Sequence, residues 1–143
     1  SAFAPARVDS ALATGSAHPK APGMKYRHYA PSAPLTVYTG DRIEVAKEIL
    51  SFARKKDKTY GFFVSSEIAE KLEPGLPVFV WGSRDSQESF AHNLFSGLLY
   101  FNQHPVDQII GEGTDTKGLG LAIMNRLTKA SGYHIVVEKK ERN

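Results

Sequence analysis

The chain has 143 residues, no cysteine, and 18 Lys or Arg against 15 Asp or Glu, a formal net charge of +3. That length suits about one domain able to hold its own core, and the lack of cysteine excludes disulfides and thiolate-held metal or redox centres. No run of about 18 apolar residues reads as a membrane span, and the first 30 residues lack the apolar core of a secretion signal, so a soluble cytoplasmic protein without membrane contacts is expected.

The charge is unevenly placed. In residues 1–34 Arg7, Lys20, Lys25 and Arg27 face only Asp9, whereas from Leu35 onward 14 cations meet 14 acids. The excess therefore lies entirely on the tail. A balanced body offers no broad electrostatic footprint for nucleic acid.

Residues 1–34 hold five of the eight prolines among Ala, Ser and Gly. Such a composition cannot bury enough apolar surface to offset its ordering entropy, and it predicts an extended linker ahead of a domain over 35–143. Inside that linker Lys25, Tyr26, Arg27, His28 and Tyr29 follow one another with no apolar residue to bury. A solvated connector is one reading. The other is contact with an anion or nucleotide. Lys25 and Arg27 bring cationic donors, Arg27 as a planar fork suited to phosphate or carboxylate oxygens. Tyr26 and Tyr29 bring flat rings, and His28 holds or releases a proton near neutrality.

From Leu35 the pattern becomes strands alternating with amphipathic stretches. LTVYT (35–39) reads as a strand, followed by a helix over 41–56 with Ile43, Ala46, Ile49, Leu50 and Ala53 on one face. Asp41 can cap that helix, with Glu44 in the capping-box position. YGFFVS (60–65) is a second strand, SSEIAEKL (65–72) a short helix stopped by Pro74-Gly75, and PVFVW (77–81) a third strand. Asp85 opens a long helix to about Gln103, with Glu88 three residues on and a stripe of Ala91, Leu94, Phe95, Leu98 and Phe101. DQIIG (107–111), a helix over about 117–131, and YHIVV (133–137) after Gly132 complete the chain. Strand alternating with helix predicts an α/β fold: a three-layer open sheet of four to five mostly parallel strands, with helices on both faces.

In such a sheet, ligands lie beyond the carboxyl ends of the strands. Four segments fall there: Thr39–Asp41, Ser65–Glu67, Gly82–Asp85 and Gly111–Gly118. The last is glycine-rich and feeds a helix start, which suits an anion. Gly111, Gly113, Thr114 and Gly118 are its candidate contacts. Its spacing matches neither phosphate-loop pattern, since Lys117 precedes Gly118 and position 116 is Thr. Glu112 and Asp115 would repel phosphate. The loop thus reads either as a tight strand-to-helix turn or as a small-anion or nucleotide site. A phospho-acceptor receiver is disfavoured, because the third strand ends Trp81-Gly82-Ser83 without an acid. Trp81 reads as a core aromatic, with a stacking surface as the alternative. The histidines His92, His104 and His134 form no metal-ligand spacing, and no Gly-x-Ser-x-Gly elbow occurs. No catalytic residue and no metal site are expected in the body.

Two strings carry a resemblance. Ala21-Pro22-Gly23-Met24-Lys25-Tyr26-Arg27-His28-Tyr29-Ala30-Pro31 resembles the interdomain linker signature of two-domain L-threonylcarbamoyladenylate synthases, and Gly118–Leu127 resembles that family's C-terminal domain near its last helix. The resemblance implies a Rossmann-like accessory domain. It implies an enzyme that makes threonylcarbamoyl-AMP and pyrophosphate from ATP, L-threonine and bicarbonate, for tRNA threonylcarbamoyladenosine. It places catalysis and Mg2+-ATP on an N-terminal YrdC-like domain, the partner over which Lys25, Tyr26, Arg27, His28 and Tyr29 would close. On this reading, residues 1–143 lack the catalytic domain, hold no cofactor of their own and are inactive alone, and direct tRNA binding is not expected. The alternative is a free-standing α/β module binding a nucleotide or small anion through residues 111–120.

Overall fold

The computed structural model describes residues 31–141. Five strands, β1 (Leu35–Gly40), β2 (Tyr60–Ser65), β3 (Val78–Gly82), β4 (Gln108–Glu112) and β5 (Ile135–Glu138), alternate with α1 (Arg42–Phe52), α2 (Ser66–Ala69), α3 (Gln87–Gln103) and α4 (Leu119–Ala130). Every strand pairing is parallel, in the order β3-β2-β4-β1-β5. The α/β class and the helices on both faces are as expected. The strand order differs from the 3-2-1-4-5 arrangement of dinucleotide-binding sheets, because β4 is inserted between β2 and β1.

Adjacent residues of the central strands point to opposite sides, as pleating requires, and they build two cores. Phe62, Val64 and Ile110 pack with Val45, Ile49 and Phe52 of α1 and Ile68 of α2. Phe63 and Ile109 pack with Phe90, Leu94, Leu98 and Phe101 of α3 and Ile123, Met124 and Leu127 of α4. All six residues of β2 are buried, which fits a strand covered on both faces. Trp81 is buried and stacks on Phe90, ring centroids 3.7 Å apart at 6°. It is a core aromatic.

Local signals set most element ends. The Asp41 carboxylate accepts the Glu44 amide at 3.0 Å, so the N-cap of α1 is where the sequence places it. The helix stops at Phe52 rather than residue 56, since the amides of Ala53, Arg54 and Lys55 each bond three residues back, tightening the chain toward β2. Its buried face is Val45, Ile49 and Phe52, with Ala46, Leu50 and Ala53 at the flanks. Ile43, expected in that stripe, is 66% exposed. For α3 the cap is Ser86, whose hydroxyl accepts the Ser89 amide, and not Asp85, which pairs instead with Arg42 at 3.6 Å. Ala91 and Phe95, expected in the α3 stripe, are exposed, and Phe90 and Gly97 take the inward positions. A Cβ at Gly97 would run into the rings of Phe63 and Phe79, so only glycine lets α3 sit this close to the sheet. The last helix ends with the Gly132 amide on Lys129 and the Tyr133 amide on Thr128, both residues at positive φ. That closure delays β5 to Ile135.

The facing of these helices has a direct test. Leu94→Ala and Ile49→Ala, at 6% and 0% exposure, are expected to lower unfolding free energy by about 2–5 kcal/mol in urea titrations. Ile43→Ala is expected to change it by less than about 0.5 kcal/mol. A comparable loss at Ile43 would contradict the α1 facing.

Candidate functional site

The loop after β1 leads to α1 on one face, and the loop after β4 leads to α4 on the other. Since β1 and β4 are neighbours, a crevice opens between their carboxyl ends. It is lined by Thr39, Arg42, Arg84, Glu112, Thr114 and Asp115, among others, and its volume is about 70 Å³. Small-molecule pockets run to about 300–1,000 Å³. This crevice is too small for a nucleotide as it stands.

Its charges are engaged with one another. Glu112 is 3% exposed; one carboxylate oxygen takes Arg84 Nε at 2.6 Å and the other takes the Ser65 amide at 2.8 Å. Its carbonyl accepts the Trp81 indole N–H at 3.2 Å. Glu67, at the start of α2, accepts the Arg84 amide at 2.9 Å and the Ser83 hydroxyl at 2.8 Å. Burial alone would raise the Glu67 pKa. The hydrogen bonds from Arg84, Ser83 and Ser66 outweigh it and hold the carboxyl below its ordinary range. Arg84 and Arg42 each donate to the other's carbonyl at 3.3 Å. Two arginines thus stand among Glu67, Asp85, Glu112 and Asp115, and the edge is not an electropositive cradle.

The sequence-predicted edge segments do converge here, but the glycine-rich loop is occupied with its own structure. Gly111 lies inside β4 and is buried. The Gly113 amide donates to Tyr38 at 2.8 Å, and a Cβ there would press on Met124 and Val37. The Thr114 amide meets Met124 Sδ at 3.4 Å, while its carbonyl accepts the Thr39 hydroxyl at 3.0 Å. Asp115 takes the Lys117 amide at 2.9 Å and Gln87 Nε2 at 3.2 Å. Gly118, at φ 57, is the bare N-cap of α4. Gly113 and Thr114 of the four line the crevice. Glu112, expected to repel phosphate, turns inward onto Arg84 instead. Sequence reasoning placed Arg84 and Glu67 on this edge without a role. The available signal was an acid closing one strand and an arginine just past another.

The string Lys25 to Tyr29 lies outside the described residues. Where the tail joins the body is described. The Ser32 amide donates to Asn102 Oδ1 on α3 at 2.9 Å, Ala33 is buried in the core, and the Pro34 carbonyl accepts the Ile109 amide at 2.8 Å. That junction is at the amino edge of the sheet, one strand length, about 20 Å, from the crevice.

A sequence model of the threonylcarbamoyl-AMP synthase C-terminal domain matches residues 4–132. The chain belongs to this family. It is 44% identical over 120 residues to Pyrococcus abyssi threonylcarbamoyl-AMP synthase, covering 82% of this chain and 33% of that protein. Against the Bacillus subtilis enzyme it is 36% identical over 132 residues, covering 92% and 38%. The chain thus spans about a third of the length of the curated relatives it matches. Among solved structures, P. abyssi Sua5 complexed with L-threonine aligns at TM-score 0.69 and 40% identity, over 92% of this chain and 38% of that one. A double variant of the same protein, with a consecutive histidine and tyrosine both changed to alanine, aligns at TM-score 0.71 and 38% identity, over 96% and 39%. For a threonylcarbamoyl-AMP synthase C-terminal domain, the crevice is a locked corner of the fold.

Breaking that lock has two measurable effects. Arg84→Met leaves the Glu112 carboxylate buried without its cation and is expected to destabilise by about 3–5 kcal/mol. Adding Glu112→Gln to it is expected to recover part of the loss in denaturant titration. Glu67 has a depressed folded pKa, so its contribution is complete above the ordinary value of 4.5 and fades as pH falls through the lower folded value. The stability gap between wild type and Glu67→Gln is therefore expected to close below pH 4.5. A gap that stays constant to pH 3 contradicts this assignment.

Proposed function

We propose that this chain is the C-terminal part of a threonylcarbamoyl-AMP synthase, and that Lys25, Tyr26, Arg27, His28 and Tyr29 close over ATP and L-threonine on an N-terminal YrdC-like catalytic domain. The observation that carries this reading is a family match extending through both the tail and the body, residues 4–132. Two further facts support it. A relative has been solved with L-threonine bound, and a variant of it replaces a consecutive His-Tyr pair, of which His28-Tyr29 is this chain's one instance. The excess positive charge also lies on this tail.

In this reading the tail's residues act on anions. Arg27 and Lys25 donate charge-assisted hydrogen bonds to phosphate or carboxylate oxygens. The rings of Tyr26 and Tyr29 cover the bound nucleotide and exclude water, which strengthens those bonds by lowering the local dielectric. His28 holds a proton on either ring nitrogen as the charge beside it changes. The body holds the far end of the strap through Ser32, Ala33 and Pro34. Among the described residues no three His, Asp or Glu side chains come close enough to hold a metal ion. The product would feed tRNA threonylcarbamoyladenosine synthesis, and a cytoplasmic setting goes with that role.

The test uses full-length synthase with ATP, L-threonine and bicarbonate, following pyrophosphate release. Arg27→Ala is expected to slow threonylcarbamoyl-AMP formation about 10- to 100-fold, the equivalent of about 1.5–3 kcal/mol for a hydrogen bond to a charged group. Tyr29→Ala is expected to slow it as well, with the melting of the body unchanged in both. Wild-type kinetics in both variants would end the lid reading.

A further inference from the structure

The flank of α3 that lines a surface groove of about 500 Å³ with α4 ends at Leu98. One turn further on, α3 has a different partner. The Asn102 side-chain carbonyl accepts the Ser32 amide at 2.9 Å, from a residue 70 positions earlier in the chain. Beside it Ala33 is buried, and the Pro34 carbonyl accepts the Ile109 amide at 2.8 Å. Residues 32–34 are therefore gripped by one unit of chain, the end of α3 and the start of β4. Of the two hydrogen bonds, only that of Asn102 uses a side chain, so one substitution removes it.

Helix α3 does not need an asparagine there. Asn is a weaker helix former than Ala or Leu, and position 102, in the last turn of α3, is exposed. The helix end is closed by His104 instead, whose amide and Nδ1 both meet the Tyr100 carbonyl at 3.0 Å. Strand β1 is likewise held without Asn102, through its ladders to β4 and β5. What the Asn102 bond adds is direction. Anchored at Ala33 and Pro34 alone, the chain ahead of them could swing about the torsions of Ser32. With the Ser32 amide held, and φ of Pro31 fixed by its ring at about −65°, the line of exit is set over two residues. Only three residues separate Ser32 from Tyr29, at most about 10 Å of chain. So short a tether carries its exit angle with it.

We propose that Asn102 is a positioning residue for threonylcarbamoyl-AMP synthesis. By holding the Ser32 amide it sets the angle at which the chain leaves the body, and so raises the effective concentration of Lys25 to Tyr29 at the ligands they close over. The inference rests on the lid reading above and adds to it a residue of the body that acts through the tail. The physical quantity is search volume. A tether with a free hinge at Ser32 samples a wide cone of directions, a locked hinge samples a small part of it, and closure gains by the ratio. One neutral hydrogen bond biases that ratio by about 3- to 10-fold.

The test uses full-length synthase, following pyrophosphate release, with Arg27→Ala as the reference for the lid. Asn102→Ala is expected to lower kcat/KM for L-threonine about 3- to 10-fold with the melting of the body unchanged. Asn102→Asp keeps an acceptor oxygen in the same place and is expected to recover most of the loss, while Gln103→Ala beside it is expected to match wild type. Four glycines inserted between Ala30 and Pro31 make the tether flexible enough to lose its exit angle, and in that background Asn102→Ala is expected to make no further difference. In the 143-residue chain, deuterium exchange of the Ser32 amide is expected to speed up in Asn102→Ala and not in Asn102→Asp. Wild-type kinetics in Asn102→Ala alongside a slow Arg27→Ala would overturn the positioning role and leave the lid reading standing. A loss that Asn102→Asp does not recover, or that persists in full behind the glycine insertion, would overturn it too, because a structural defect behaves in that way. Wild-type kinetics in both Arg27→Ala and Tyr29→Ala would remove the lid reading and this inference together.

Discussion

The Glu112 carboxylate, 3% exposed at the end of a central strand, has to be met by donors on every side, and those donors tie the carboxyl edge of the sheet together. Arg84 reaches it from beyond β3, the Ser65 amide from the end of β2, and the Trp81 indole takes the carbonyl of the same residue. Taking a carboxylate and a guanidinium out of water costs several kcal/mol per ion, so such a pair adds little net stability over an apolar substitute. What it imposes is geometry. With either partner alone the site holds an unmatched buried charge, and so β2, β3 and β4 must end together where the pair can form.

That constraint also explains why, among the described residues, the crevice offers no open cradle for an anion. The two arginines at the crevice are committed to Glu112, Asp85 and each other's carbonyl, and the amides of Gly113, Thr114 and Lys117 are committed to Tyr38, Met124 and Asp115. A glycine-rich turn at a strand end is an anion site only when its amides are unengaged. Here they hold the turn itself. In the proposed reading the cationic and aromatic groups that act are those of the tail, and the body is the anchor that positions them.

The longest helix links the two roles. On one side α3 carries Phe90, Leu94, Leu98 and Phe101 into the core, where Gly97 admits the rings of Phe63 and Phe79. At its end, Asn102 receives Ser32. Its outer flank, with Ala91 and Phe95, faces the groove shared with α4. A stripe that reads in the sequence as one apolar face is therefore divided between a core and a surface groove, because the neighbouring helix lies beside only part of it.

The sequence by itself determined what short-range physics determines. Alternating apolar runs marked all five strands, Asp41 and Gly132 marked helix ends through local hydrogen bonding and positive φ, and residue counts placed the excess charge on the tail. Only the tertiary structure decided that β4 lies between β1 and β2, that Ile43 faces solvent while Val45 and Phe52 are buried, and that Glu112 meets Arg84. The partners of Glu112 are 28 and 47 residues away in sequence. A periodicity measured within one segment carries no information about which distant segment will pack against it, and the fate of a charge or an apolar side chain depends on that neighbour.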